Sequence, residues 1–195
     1  MTATLHLRLL GQVEVRLVGE PVTGFYSGKA QALLFYLAVT GQTHTRPALA
    51  GLLWADLPEA DALMNLRQVL TNLRKLVGDH LTITRQTVAF NRTGDYWLDV
   101  EAFQVGVGGA SNEADMENVH PAVDLYRGDF LAGFYVRNAP LFEEWLLAQR
   151  AWLRELALGA QQKLAAYFAR QGNYEQGIAY TRRLLELEPW HEEAH

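Results

Sequence analysis

The 195-residue sequence predicts an α+β domain followed by an all-α domain, with helix dominating overall. Three observations carry this. Residues 1–100 mix short alternating β-type runs with three helix-length apolar periods. Residues 118–195 hold long apolar-periodic stretches, and a glycine- and acid-rich segment at 101–117 separates the two.

The first domain is justified element by element. Leu5-His6-Leu7-Arg8-Leu9 and Val13-Glu14-Val15-Arg16-Leu17 alternate apolar and polar residues around Gly11-Gln12, the pattern of two half-buried strands joined by a turn. After turn signals between Gly19 and Gly24, Ala30 to Val39 forms a first helix, with Ser27 as its N-cap and Gly41 as its stop. Thr45 supplies a capping hydroxyl and Pro47 a first-turn proline to a second helix, Ala48 to Trp54, which Asp56 to Pro58 ends. A third helix runs from Ala60 to Val77 and stops at Gly78. Leu81-Thr82-Ile83-Thr84 and Thr87-Val88-Ala89-Phe90 then make a hairpin whose tip is Arg85-Gln86, before Tyr96-Trp97-Leu98. Strand, helix, helix, polar-faced helix, hairpin is the order of a winged helix-turn-helix.

The third helix carries the functional signal. At 100° per residue Leu63, Leu66, Val69, Leu70, Leu73, Leu76 and Val77 share one face. The opposite face holds Arg67, Gln68, Thr71, Asn72, Arg74 and Lys75, and no carboxylate stands between Asp61 and Asp79. A solvated face normally mixes signs. A one-sign face rich in amides and hydroxyls suits a DNA major groove, where Arg and Lys reach guanine or phosphate, Gln and Asn pair with adenine, and Thr touches a methyl or a phosphate. The net charge of −5 hides this distribution: through Val100 there are nine Lys or Arg against eight Asp or Glu, and beyond it eight against fourteen.

In the segment after Glu101, Gly106, Gly108 and Gly109 cluster ahead of Ser111-Asn112, which reads as a flexible linker over 101–117. Beyond it the chain is expected to be helical to its end. Ala139 to Arg170 is one bent helix or two, and Gln171-Gly172-Asn173 turns it into Tyr174 to Leu187. Ala165, Phe168, Gly172, Tyr174, Gly177, Leu184, Leu185 and Pro189 fall where a tetratricopeptide-like repeat places its small, aromatic, turn and terminating residues. One repeat cannot bury both faces, so the native protein is expected to continue past residue 195 or to bury that end in a partner.

Composition removes several chemistries. The chain has no cysteine, hence no disulfide, thiolate metal site or cysteine nucleophile. It has no signal peptide and no apolar run of ~18 to 20 residues, so a cytoplasmic protein without membrane contact is expected. His191-Glu192-Glu193-Ala194-His195 spells the zinc-peptidase pattern, but with no third ligand after it a coincidental match at a helix start is the better reading. Gly28-Lys29 fails as a phosphate-binding loop because Thr23 and Ala30 replace the glycine and hydroxyl that motif needs. Neither enzymatic activity nor any cofactor or metal is expected.

The residues resemble one family over nearly the whole chain. Leu9-Leu10-Gly11 with Val13-Glu14-Val15, Lys29 to Leu34, Leu52-Leu53-Trp54, Asn65-Leu66-Arg67-Gln68 and Leu73-Arg74-Lys75-Leu76 match the first domain of the Streptomyces antibiotic regulatory protein type of activator. Leu125 to Leu131, Phe142-Glu143-Glu144-Trp145 and Leu187-Glu188-Pro189-Trp190 match its second. The resemblance implies an OmpR-like winged helix over 1–100 and a bacterial transcriptional activator domain over 118–195. It also implies sequence-specific binding to promoter direct repeats as double-stranded DNA, a homodimer on that DNA, and recruitment of RNA polymerase or another protein through the helical repeats. On the residues, Arg67, Gln68, Thr71, Asn72 and Lys75 are expected to read the groove, Arg74 and Lys29 to hold phosphates, and Arg85 to sit on the wing. A scaffold in which the winged helix binds protein instead is the alternative.

Overall fold

The computed structural model describes residues 4–108 and 116–187. Strands β1 (Leu5–Arg8) and β2 (Glu14–Leu17) form an antiparallel pair, with Leu5, Leu7 and Val15 facing inward. The short β3 (Glu20–Pro21) extends that pair at one edge. At the other edge lies β7 (Tyr96–Leu98), which runs parallel to β1 and gives the sheet order β3-β2-β1-β7. The run Tyr96 to Leu98 therefore leaves the hairpin that precedes it and closes the amino-terminal sheet.

Helix α1 (Gly28–Thr40) begins where Ser27 accepts the Ala30 amide, and it ends at Gly41 in the left-handed region, φ 61°. Most of its length is buried, which explains its uniformly apolar sequence. Helix α2 (Arg46–Leu53) is capped by Thr45 as expected, and α3 (Glu59–Val77) runs into a 3-10 turn at Gly78–His80. The hairpin is β5 (Leu81–Ile83) with β6 (Thr87–Phe90), and β4 (His44–Thr45) pairs with β6 to complete a second sheet, β4-β6-β5.

His44 shows how this packing becomes a pH response. Its ring lies 4.9 Å from that of Tyr36 and its Nε2 is 3.0 Å from the Thr40 hydroxyl, so burial holds its pKa below the ordinary histidine value. The unfolded chain therefore takes up this proton first. The stability contributed is full above about pH 6.5 and declines as pH falls through the depressed folded value. Thermal melts of His44→Gln should show a flatter pH dependence than the parent as pH falls below about 6.5; an unchanged slope would place the acid sensitivity elsewhere.

The glycine-rich segment departs from the linker expectation. Residues 101–108 lie in helix α4 (Asp99–Gly108), which includes Gly106 and Gly108 and buries Phe103 and Val107. Burial of that face outweighs the ~1 kcal/mol a glycine costs in a helix. Gly109, Ser111 and Asn112 lie outside the described residues. Helix α5 (Met116–Val123) follows.

A second departure is the non-helical stretch from 124 to 139, where continuous helix was expected. It straps the two halves together. Leu131 donates its amide to the Leu9 carbonyl (2.8 Å), Ala132 donates to Gly11 (3.1 Å), and Gly11 donates back to Asp129 (3.1 Å). Phe134 packs edge-on against Phe35 at 5.4 Å. Arg150 fixes the strap from behind, donating to the carbonyls of Phe130 and Leu131 at 2.8 and 2.7 Å.

Helix α6 (Pro140–Arg170) is one 31-residue helix, which settles the one-or-two question. Its amino-terminal part packs Phe142 and Trp145 toward the first half, Trp145 meeting Tyr36 at 4.9 Å, and its carboxy-terminal part pairs with α7 (Tyr174–Leu187). Gly177 permits that approach: a Cβ there would lie 3.4 Å from the Ala165 carbonyl. Phe168 stacks on Tyr180 at 5.8 Å with His120 edge-on to both, closing the small core of the helical pair. One hydrophobic cluster runs from Leu5 to Tyr180. Pro189, Trp190 and the His191–His195 motif lie outside the described residues.

Candidate nucleic-acid interface

Helix α3 stands on its apolar face. Leu66, Val69, Leu70, Leu73 and Val77 are buried, leaving Arg67, Gln68, Thr71, Arg74 and Lys75 exposed. The charges follow the helix dipole, with Glu59 and Asp61 in the first turn and Arg74 and Lys75 in the last. Among the described residues no carboxylate pairs with Arg67, Arg74, Lys75 or Arg85, although five other arginines make such pairs. A row of unneutralised cations along one exposed ridge creates a local positive potential on a chain whose net charge is −5.

The wing stands along one flank of this ridge. Arg67 and Leu63 of α3, Thr45 and Pro47 at the start of α2, and Arg85 and Gln86 of the hairpin line an open cleft of about 620 Å³. The turn that carries Arg85 is stiff. Thr84 and Thr87 bond across it, the Thr84 hydroxyl accepts the amides of Gln86 and Thr87, and Arg46 donates twice to the Thr84 carbonyl at 3.1 and 2.8 Å. Arg46 was absent from the sequence-derived set. Its signal was its place at the first position of α2, where a cation opposes the helix dipole and needs another task.

Two of the expected groove residues make contacts within the chain. Asn72 is expected to read a base, but its Oδ1 accepts the Tyr26 amide (2.9 Å) and its Nδ2 donates to the Gly24 carbonyl (3.0 Å). Both ends of the amide hold the turn before α1. Lys29 is expected to hold a phosphate. Its Nζ instead donates to the Asn138 carbonyl at 3.1 Å and sits 5.2 Å from the Trp54 ring centroid, tying the winged helix to the strap. Burial lowers its pKa, with Asp56 opposing the shift. Thr71 bonds back to the Arg67 carbonyl, which occupies its proton and leaves its methyl and lone pairs exposed.

The other polar centre is structural. Asp99, fully buried at the start of α4, accepts the amides of Leu9 (2.8 Å) and Leu10 (3.0 Å), with Arg127 reaching it at 3.4 Å. Burial pushes its carboxyl above the ordinary value, against the pull of those amides and of Arg127. Among the described residues no group of three or more His, Asp or Glu could hold a metal ion, and no helix is long and apolar enough to cross a membrane.

Fold and site together define a class: a winged helix with an exposed basic third helix, continuous with a helical-repeat half. The chain belongs to the bacterial transcriptional activator domain family, which matches residues 98–195. This agrees with the resemblance to the Streptomyces antibiotic regulatory protein type of transcriptional activator. In fold the chain is similar to Mycobacterium tuberculosis EmbR, solved in complex with a low affinity phosphopeptide, at 21% sequence identity and a TM-score of 0.73. That likeness covers 98% of this chain and 52% of the EmbR chain, so the chain spans about half of that protein. No match was found among curated proteins.

Proposed function

We propose that this chain binds double-stranded DNA sequence-specifically, with α3 in the major groove and the β5–β6 wing on the adjoining backbone or minor groove. The observation that carries this reading is the exposed, carboxylate-free ridge of α3, whose cations lack ion-pair partners among the described residues while its buried face anchors it to the core. Gln68 and Arg67 are the base-reading candidates, and Thr71 offers a methyl contact. Arg74, Lys75 and Arg85 act on phosphates. Copies would sit on promoter direct repeats. The acidic helical half, which exposes Trp152 and Ile178, is the surface for RNA polymerase or another protein.

Selecting bound duplexes from random DNA with the whole chain tests the reading, because sequence preference and half-site spacing emerge together. A chain that enriches no sequence and shows no salt-dependent retention would instead be a scaffold. Against a selected site, Gln68→Ala should cost about 1–3 kcal/mol at one base position and leave other positions unchanged. Asn72→Ala should behave differently, lowering folding stability by about 1–2 kcal/mol through the loosened 24–26 turn and weakening all sequences alike. If Asn72→Ala relaxes a single base position without loss of stability, Asn72 reads after all.

A further inference from the structure

The flank of α3 opposite the wing is closed by the second half of the chain. Gln68 on α3, Lys29 and Tyr26 at the start of α1, and Tyr135 and Arg137 from the strap line a cleft of about 450 Å³, with Trp54 at its side. Two tyrosines point into solvent here, Tyr26 at 68% exposure and Tyr135 at 66%. Arg137 is exposed as well and, among the described residues, has no carboxylate partner.

The local charge is opposite to that of its surroundings. The chain beyond Val100 is strongly acidic, yet from Phe130 to Phe142 it contains no carboxylate and a single charge, that of Arg137. The part of the acidic half that lines this cleft beside α3 is therefore a part that would not repel a phosphate.

This stretch is also held in place. Val136 and Ala139 are buried on either side of Arg137, and Asn138 takes a left-handed backbone, φ 53°, with its carbonyl bound by Lys29. Tyr26 is placed by the Asn72 amide. The backbone that carries three groups able to donate hydrogen bonds to phosphate oxygens is thus held next to Gln68, which lowers the ordering needed on binding.

We propose that the strap residues Tyr135 and Arg137 belong to the DNA interface. Arg137 contacts a backbone phosphate on the side of the major groove away from the wing, and Tyr26 and Tyr135 contact the same strand. This rests on the reading that α3 enters the groove, and it makes the activator half part of the DNA-binding surface.

The test is the salt dependence of affinity for a selected duplex, measured with the whole 195-residue chain. Arg137→Gln should flatten the log-affinity against log-salt slope by about one and weaken binding roughly eightfold at 0.1 M salt, with base preference unchanged. Arg137→Lys should recover most of the slope, and Arg182→Gln on α7 should change nothing. Arg137→Gln is expected to melt as the parent does, because the side chain is exposed and has no ion-pair partner among the described residues. If Arg137→Gln keeps the parental slope and affinity while removal of Arg67, Lys75 and Arg85 lowers affinity by orders of magnitude, the inference is wrong and the α3 reading stands. If that triple variant keeps the parental affinity, the α3 reading fails with it.

Discussion

Replacing Arg67, Lys75 and Arg85 together by Gln is expected to lower affinity for a selected duplex by roughly two to three orders of magnitude at 0.1 M salt. Each cation that neutralises a phosphate releases close to one counterion, so three losses remove about 2.7 from the log–log slope, and the deficit grows as salt falls. The three residues come from two elements, α3 and the wing turn, and each is exposed and lacks an ion-pair partner among the described residues. None holds the fold together, so the variant should melt at the parental temperature. Fluorescence anisotropy over a salt series reads the result. Undiminished affinity would remove α3 and the wing from the interface.

The second large effect concerns stability. Asp99→Ala leaves the amides of Leu9 and Leu10 without an acceptor in a place where both residues are fully buried. An orphaned buried donor costs about 1–3 kcal/mol, so a loss of about 3 kcal/mol is expected, which lowers the melting temperature by roughly 6–12 °C for a chain of this size. Asp99→Asn keeps one acceptor without a buried charge and should recover part of the loss. Arg127→Ala, at an exposed position, should cost much less. Equal melting temperatures for the parent and Asp99→Ala would mean that water replaces the carboxylate.

Local signals were legible in the sequence. The Ser27 cap and Gly41 stop of α1, the Thr45 cap and Pro47 of α2, and the buried and exposed faces of α3 all depend on residues within a turn or two of each other. The contacts that periodicity does not reveal are long-range. Asn72 looks like a groove reader because it sits among exposed polar residues, yet its partners lie 46 and 48 positions away. Lys29 finds its acceptor 109 positions along, and Asp99 holds the end of β1 across 90. Periodicity cannot see such pairings. The glycines at 106 and 108 misled for a related reason: composition suggested a linker, while the burial of Phe103 and Val107 made a helix.

The strap between residues 124 and 139 changes what the helical half can do. Its hydrogen bonds to Leu9 and Gly11, and the Phe35–Phe134 contact, join the halves directly. On the proposed reading, a polymerase or other partner held at α7 is carried around the duplex at a fixed azimuth. Each added base pair between operator and start site then rotates that partner by about 34–36° as well as moving it along the axis. On that reading promoter spacing becomes an angle, and a site out of phase would be bound but would present the partner to the wrong side.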